Sequence, residues 1–167
     1  GAIIMSAGTV HGATCQWLES VMLMRDGDAA PHAFPVMADD FSYRSQTFGG
    51  PRDFVLDGIF HFRRSEKDQR EVFAHYMTRR RDTQPHGFCC GSVFKNPLND
   101  HAGRLIEACD LRGTRHGGAV ISPLHANFIM NEDGATFDDI LALIKLCKTR
   151  VHEQFGILLE EEVRIIA

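Results

Sequence analysis

The chain has 167 residues, enough for one ordinary domain or two small ones. Hydrophobic residues make up 44%, which suffices for a packed core, and no run approaches the roughly 18 apolar residues of a membrane span. A formal charge of -4 argues against a globally basic surface for nucleic acid.

The first element is the apolar run at residues 2–6 (AIIMS), which reads as a buried strand. It lacks the charged start and cleavage pattern of a signal peptide. A strand at residue 2 with nothing before it is expected to be a cut through a larger domain. Residues 14–24 read as a short helix followed by a strand ending near Met24, and RDGD at 25–28 reads as a turn. PHAFPVMADD at 31–40 reads as loop with an edge strand, because each proline removes a ladder donor. FVLDGIFHFRR at 54–64 reads as a strand. Ser65, with Asp68 three residues on, predicts a helix start, followed by an apolar stripe of Val72, Phe73, Tyr76 and Met77. The run Arg79–Arg81 has two readings, a solvated helix end or a grip on a phosphorylated ligand.

TQPHGFCCG at 83–91 is expected to be loop. Residues 102–110 suit a short helix, and AVIS (119–122) and NFIMN (127–131) suit short strands. Thr136 and Asp139 form a capping-box variant. Behind it Phe137, Ile140, Leu141, Ile144, Cys147, Val151 and Phe155 recur at helical spacing, and Gly156 ends the helix. EVRIIA (162–167) reads as a closing strand. Mixed strands and helices without repeats give an α+β chain.

Five cysteines without a CxxC pair suggest reduced thiols in a cytoplasmic protein. Cys89, Cys90 and His86 lack a second ligand pair at zinc-type spacing, so no metal is expected there. Three polar groups stand out: Ser92 in the loop GSVFKNP (91–97), Arg44 after Tyr43 in FSYRSQTF (41–48), and Glu162 in LEEEVRIIA (159–167). Each alone has an ordinary reading, as a turn serine, a surface arginine and one member of a solvated glutamate run. No nucleophile elbow surrounds Ser92, and no glycine-rich phosphate loop is present. Read one by one, the residues reach an α+β domain with an anionic small-molecule ligand and go no further.

Together, GSVFKNP, AGRLIEACDLRG (102–113), GGAVISPLHANFIMN (117–131) and LEEEVRIIA resemble the C-terminal part of the UDP-N-acetylenolpyruvoylglucosamine reductase family. GAIIMSAGTVHG (1–12) and FSYRSQTF resemble its flavin-domain segments, in the same order. The resemblance implies a reductase that uses FAD and NADPH to convert UDP-N-acetylglucosamine enolpyruvate to UDP-N-acetylmuramate for peptidoglycan. It implies part of the FAD-binding domain at 1–63 and a substrate-binding α+β domain at 64–155. Residues 156–167 would return to the FAD domain as its last strand, leaving Ser92 and Glu162 on different lobes. The family's N-terminal flavin-binding portion is not among these residues and would be a partner.

The resemblance also assigns roles. Ser92 matches the serine that gives a proton to C2 of the substrate, with Lys95 a local source of stabilisation for its oxyanion. Arg44 and Glu162 flank the substrate carboxylate, and Glu162 shares a proton there because two bare carboxylates repel. Tyr43, Lys95, Asn96, His125 and Arg164 are expected to bind substrate, with Lys95 and Asn96 toward the diphosphate. A period of two puts Arg164 on the strand face of Glu162. Ser6, Ala7, Gly8 and Arg164 are expected to contact the cofactor. Three positions depart from the family pattern: Ser6 stands for Asn, Gln46 for Ser and Asp110 for Gly. Two other readings remain: a UDP-sugar-binding module without flavin, and an RNA-binding protein using Arg79–Arg81, against which the net charge argues.

Overall fold

The computed structural model describes residues 1–9, 12–66 and 68–166. The chain divides into two compact units, Gly1–Glu66 and Lys67–Ala167.

The first unit begins with the short strands β1 (Gly8–Thr9) and β2 (Gly12–Ala13) and a 3-10 turn at Thr14–Gln16. Then come β3 (Leu18–Met24), β4 (His32–Pro35), the small hairpin β5 (Phe41–Ser42) and β6 (Ser45–Gln46), and β7 (Phe54–Phe60). The main sheet is antiparallel in the order β4–β3–β7. Alternation along β3 buries Val21 and Leu23, and a register shift between Leu18 and Ser20 adds Leu18 to the same cluster, with Phe48 and the half-buried Ile3, Ile4, Phe34 and Phe41. The expected turn at 25–28 is present, closed by the Asp28 amide donating to the Arg25 carbonyl at 3.1 Å. Pro35 lies on the edge strand, where a missing donor is tolerated.

Residues 2–6 are not a strand. The Ser6 amide donates to the Ile3 carbonyl at 3.1 Å and the Ala7 amide to the Ala2 carbonyl at 2.8 Å. These nested bonds form a Schellman turn, with Ser6 left-handed at φ 41. Ile3 and Ile4 still reach the apolar cluster. A short apolar run specifies burial, and periodicity alone does not separate a strand from a helical turn.

The second unit holds α1 (Gln69–Thr83), β8 (Cys89–Ser92), α2 (Ala102–Ala108), β9 (Arg115–His116), β10 (Ala119–Ile121), β11 (Phe128–Asn131) and α3 (Phe137–Phe155). Its four strands form an antiparallel sheet in the order β8–β11–β10–β9. Against them α3 buries Leu143, Ile144, Cys147 and Val151, and α2 buries Ala102, Leu105 and Ile106. The predicted cap at Thr136 and the left-handed end at Gly156, φ 68, are both present.

Residues 89–92, expected as loop, form the strand β8 instead, because they pair with β11. Two further expectations are corrected in this unit. First, α1 starts one turn late, capped by Asp68, whose carboxylate accepts from the Arg70 amide at 2.8 Å. Its apolar stripe is not buried: Phe73 and Met77 are exposed, and Val72 and Tyr76 are half-buried. Arg79–Arg81 lie at its exposed end, where Arg80 donates to Gln84 at 3.0 Å and basic residues suit the helix dipole. This fits the solvated-end reading. Second, no strand forms over residues 162–166 of the expected closing strand; the pairing is a single bridge one residue earlier, between Phe94 and Glu161, and position 167 lies outside the described residues. No helix among the described residues is long and apolar enough to cross a membrane.

Candidate active site

Ser92 is the last residue of β8, half-buried, and sits opposite Phe128 of β11. The backbone that follows is clamped. The Val93 amide donates to the Asn127 carbonyl at 2.9 Å. The Asn127 side chain accepts from the Phe94 amide at 2.9 Å and donates to the Phe94 carbonyl at 2.8 Å. Val93 and Phe94 are each 1% exposed and Asn127 is 4% exposed. Buried polar groups left unpaired here would each cost about 1–3 kcal/mol, so the clamp holds one backbone conformation beyond Ser92.

The C-terminal segment runs beside this clamp. Leu159, 3% exposed, inserts into the apolar cluster of the second unit. The Lys95 amide donates to the Glu160 carbonyl at 2.9 Å, and the Glu162 amide donates to the Val93 carbonyl at 2.8 Å. The glutamate run is therefore held, not merely solvated. Glu160 accepts from the Lys95 ammonium, and Glu161 accepts from Lys148 Nζ at 2.7 and 3.0 Å. Burial would raise the Glu161 pKa, but the Lys148 hydrogen bond and a backbone amide outweigh it and lower the value. Ser92 and Glu162 thus belong to one unit, not to different lobes. Leu159 is the physical reason, since it carries residues past Gly156 back into the same core. Arg164 lies beyond, exposed.

The remaining residues expected in the second unit have defined local tasks. Lys95 Nζ pairs with Glu160. Asn96 Oδ1 accepts from the Ala102 amide at 3.1 Å and so caps α2, a helix too short to persist by itself. His125 is fixed from three sides. Ser122 Oγ accepts its amide at 3.3 Å, its Nδ1 accepts the Asn127 amide at 3.2 Å, and its ring meets Phe128 edge-on at 4.9 Å. Gly103 allows this, because a Cβ there would lie 2.9 Å from His125 Cε1. Burial lowers the His125 pKa, and the accepting Nδ1 leaves the ring proton of the neutral form on Nε2. The sequence reading missed Asn127. Its one signal is a lone amide inside the otherwise apolar stretch 126–130.

In the first unit, Tyr43 and Arg44 form the two-residue loop between β5 and β6. Arg44 is left-handed at φ 58, a conformation costing a non-glycine residue about 1–3 kcal/mol. Its Nη1 donates to the Ser6 carbonyl at 3.4 Å, and its guanidinium lies 5.0 Å from the Tyr43 ring centroid. A Cβ on Gly8 would come within 3.3 Å of Arg44 Nη1, so glycine there leaves the guanidinium its place. Gln46 clamps its own turn, accepting from the Gly49 amide and donating to the Gly49 carbonyl, both at 2.8 Å.

These residues fit an anionic cofactor through the Arg44 cation beside the 6–8 backbone. They do not form an amide cradle, because the Ser6 and Ala7 amides are engaged inside the turn. Cys89 and Cys90 are exposed, and partial burial raises the Cys90 pKa. Among the described residues no group of three metal-ligating side chains is present.

Residues 84–166 match the family model described as UDP-N-acetylenolpyruvoylglucosamine reductase, C-terminal domain. The chain is 43% identical to the UDP-N-acetylenolpyruvoylglucosamine reductase of Chloroflexus aggregans over 173 residues, covering 99% of this chain and 58% of that protein. It is 40% identical to that of Prochlorococcus marinus over 167 residues, covering 98% and 54%. It superposes on the crystal structure of UDP-N-acetylenolpyruvylglucosamine reductase from Thermus caldophilus with a TM-score of 0.78 and 34% identity, covering 98% of this chain and 58% of that one. The chain therefore spans a little over half the length of these relatives.

Proposed function

We propose that this chain, which belongs to the UDP-N-acetylenolpyruvoylglucosamine reductase family, serves the reduction of UDP-N-acetylglucosamine enolpyruvate to UDP-N-acetylmuramate, with FAD and NADPH as cofactors. The observation that carries the proposal is the backbone hydrogen bond between Glu162 and Val93, the residue after Ser92, which ties the segments of the two proposed catalytic residues together. A bound flavin would supply the hydride to the enol ether.

Ser92 is the proposed acid for C2. A serine hydroxyl is weakly acidic, so it serves only toward a strongly basic carbon and from a fixed position. The clamp beyond Ser92 supports such a position. Arg44 and Glu162 are the proposed partners of the substrate carboxylate, where charge builds as the double bond is reduced. Lys95, Asn96, His125, Tyr43 and Arg164 are proposed substrate contacts. Lys95 is the cation of that set nearest the clamp in sequence, and it exchanges Glu160 for a diphosphate in this proposal. Ser6, Ala7 and Gly8, within a proposed cofactor domain that includes residues 1–63, and Arg164 are proposed to hold the cofactor. Residues 64–155 are the proposed substrate domain.

A second reading is a UDP-sugar-binding module that holds no flavin. The engaged amides of Ser6 and Ala7 favour it, since neither is available to a cofactor phosphate in this turn. One experiment separates the two. The purified protein is titrated with FAD, followed by its visible spectrum, and NADPH oxidation is then assayed with and without the enolpyruvyl substrate. A bound-flavin spectrum with substrate-dependent oxidation supports the reductase. A colourless protein that still binds UDP-N-acetylglucosamine supports the module.

A further inference from the structure

Asn127, in the turn just before β11, is the buried amide that holds the two residues after Ser92, Val93 and Phe94. Its side chain satisfies both backbone groups of Phe94, and its own carbonyl takes the Val93 amide. The Val93 carbonyl, which shares a peptide unit with the Phe94 amide, accepts from the amides of Glu162 and Val163 at 2.8 and 3.3 Å. Behind Asn127 the order continues inward. Its amide ends on His125 Nδ1, and the His125 amide ends on Ser122 Oγ, which is 1% exposed. Ser122, His125, Asn127 and residues 93–94 thus form one connected chain of hydrogen bonds ending at Glu162. No apolar residue of similar volume can replace Asn127, because the Phe94 N–H and C=O would both be buried without partners.

We infer that Asn127 is a positioning residue: it sets the orientation of Ser92 and the docking of the Glu162 segment, without itself touching substrate. This rests on the reductase reading for its effect on turnover, but not for its effect on structure. Phe94 sits two residues from Ser92, so loosening its peptide frees the end of β8. The Glu162 bond loosens with it, because its acceptor, the Val93 carbonyl, shares a peptide unit with the Phe94 amide.

The test uses the full chain and the variants Asn127→Ala and Asn127→Asp. The aspartate keeps an acceptor for the Phe94 amide and loses the donor to the Phe94 carbonyl, so it serves if the alanine variant does not fold. Amide exchange is read by NMR at Phe94, Lys95 and Glu162, with Leu143 and Val151 of α3 as controls. The expected result is at least tenfold faster exchange at Lys95 and Glu162 in both variants, with the α3 amides within twofold of wild type. Phe94 should lose protection in Asn127→Ala and recover part of it in Asn127→Asp. Faster exchange throughout, or unchanged exchange at Glu162, would overturn the inference. In a turnover assay kcat should fall at least tenfold while KM stays within threefold; a rise in KM alone would also overturn it. If the exchange pattern holds but Ser92→Ala turns over normally, the reductase role of Ser92 fails and the structural role of Asn127 stands.

Discussion

The amide of Glu162 donates to the carbonyl of Val93 at 2.8 Å, one residue beyond Ser92. The bond uses backbone atoms only, so side-chain changes at 162 leave the segment docked. Glu162→Gln and Glu162→Ala should both keep the Glu162 amide protected from hydrogen exchange to within about tenfold of wild type, because its bond to Val93 does not use the side chain. In turnover they should differ. The glutamine keeps a hydrogen-bonding group, so its loss should be about tenfold smaller than that of the alanine. Equal losses in a steady-state assay would remove hydrogen bonding as the function of this side chain.

Asp110 offers a test of the fold. It lies just past α2 with φ 57, its amide donates to the Glu107 carbonyl at 2.9 Å, and the Leu111 amide reaches back to Ile106 at 3.4 Å. This is again a Schellman ending, with the buried pair Ile106 and Leu111 as its apolar contact. Asp110→Gly should stabilise the second unit by about 0.5–1 kcal/mol, because relief of the left-handed strain exceeds the added entropy of the unfolded chain. The denaturant midpoint should rise; a fall would mean that the Asp110 side chain contributes a bond of its own.

Much of this architecture is readable from the chain, and the exceptions share a cause. α3 is legible because Thr136, Asp139, the apolar spacing and Gly156 all give the same answer locally. β3 is legible as well, ended by the turn signal at 25–28, whereas the hairpin around Tyr43 and Arg44 is not anticipated. The resemblance supplied Ser92 and Glu162 as residues, but not their adjacency. That adjacency depends on pairings over long separations, with Lys95 and Glu160 lying 65 positions apart. A run of three glutamates looks solvated until its lysines are placed. Two of the three family departures, Ser6 in its Schellman turn and Asp110 past α2, proved to be left-handed positions, where the pattern's Asn and Gly are the easier residues. The exposed stripe of α1 shows the opposite limit, because helical spacing does not say that a partner surface is present.

His125 should make stability depend on pH. Burial holds its folded pKa below the ordinary 6.5, with Arg112 adding to the effect and Glu107 opposing it. The unfolded chain therefore takes up a proton first as pH falls. Stability should be full above about pH 6.5 and decline as the pH drops below it. His125→Gln should lessen that decline between pH 7 and pH 5.5 in thermal melts. Parallel curves for the two proteins would show that His125 does not set the slope. Glu161 acts at lower pH: its lowered pKa contributes stability above about 4.5, lost as pH falls further.

The central claim is that Ser92, held by the Asn127 clamp beside the Glu162 segment, delivers the proton in a flavin-dependent reduction. The most direct measurement is the steady-state turnover of Ser92→Ala against wild type, with the enolpyruvyl substrate, FAD and NADPH present. The account predicts a loss of kcat of about 10²–10⁴-fold, the range for removal of a general acid, with KM changed only a few-fold. Turnover within a few-fold of wild type would contradict it.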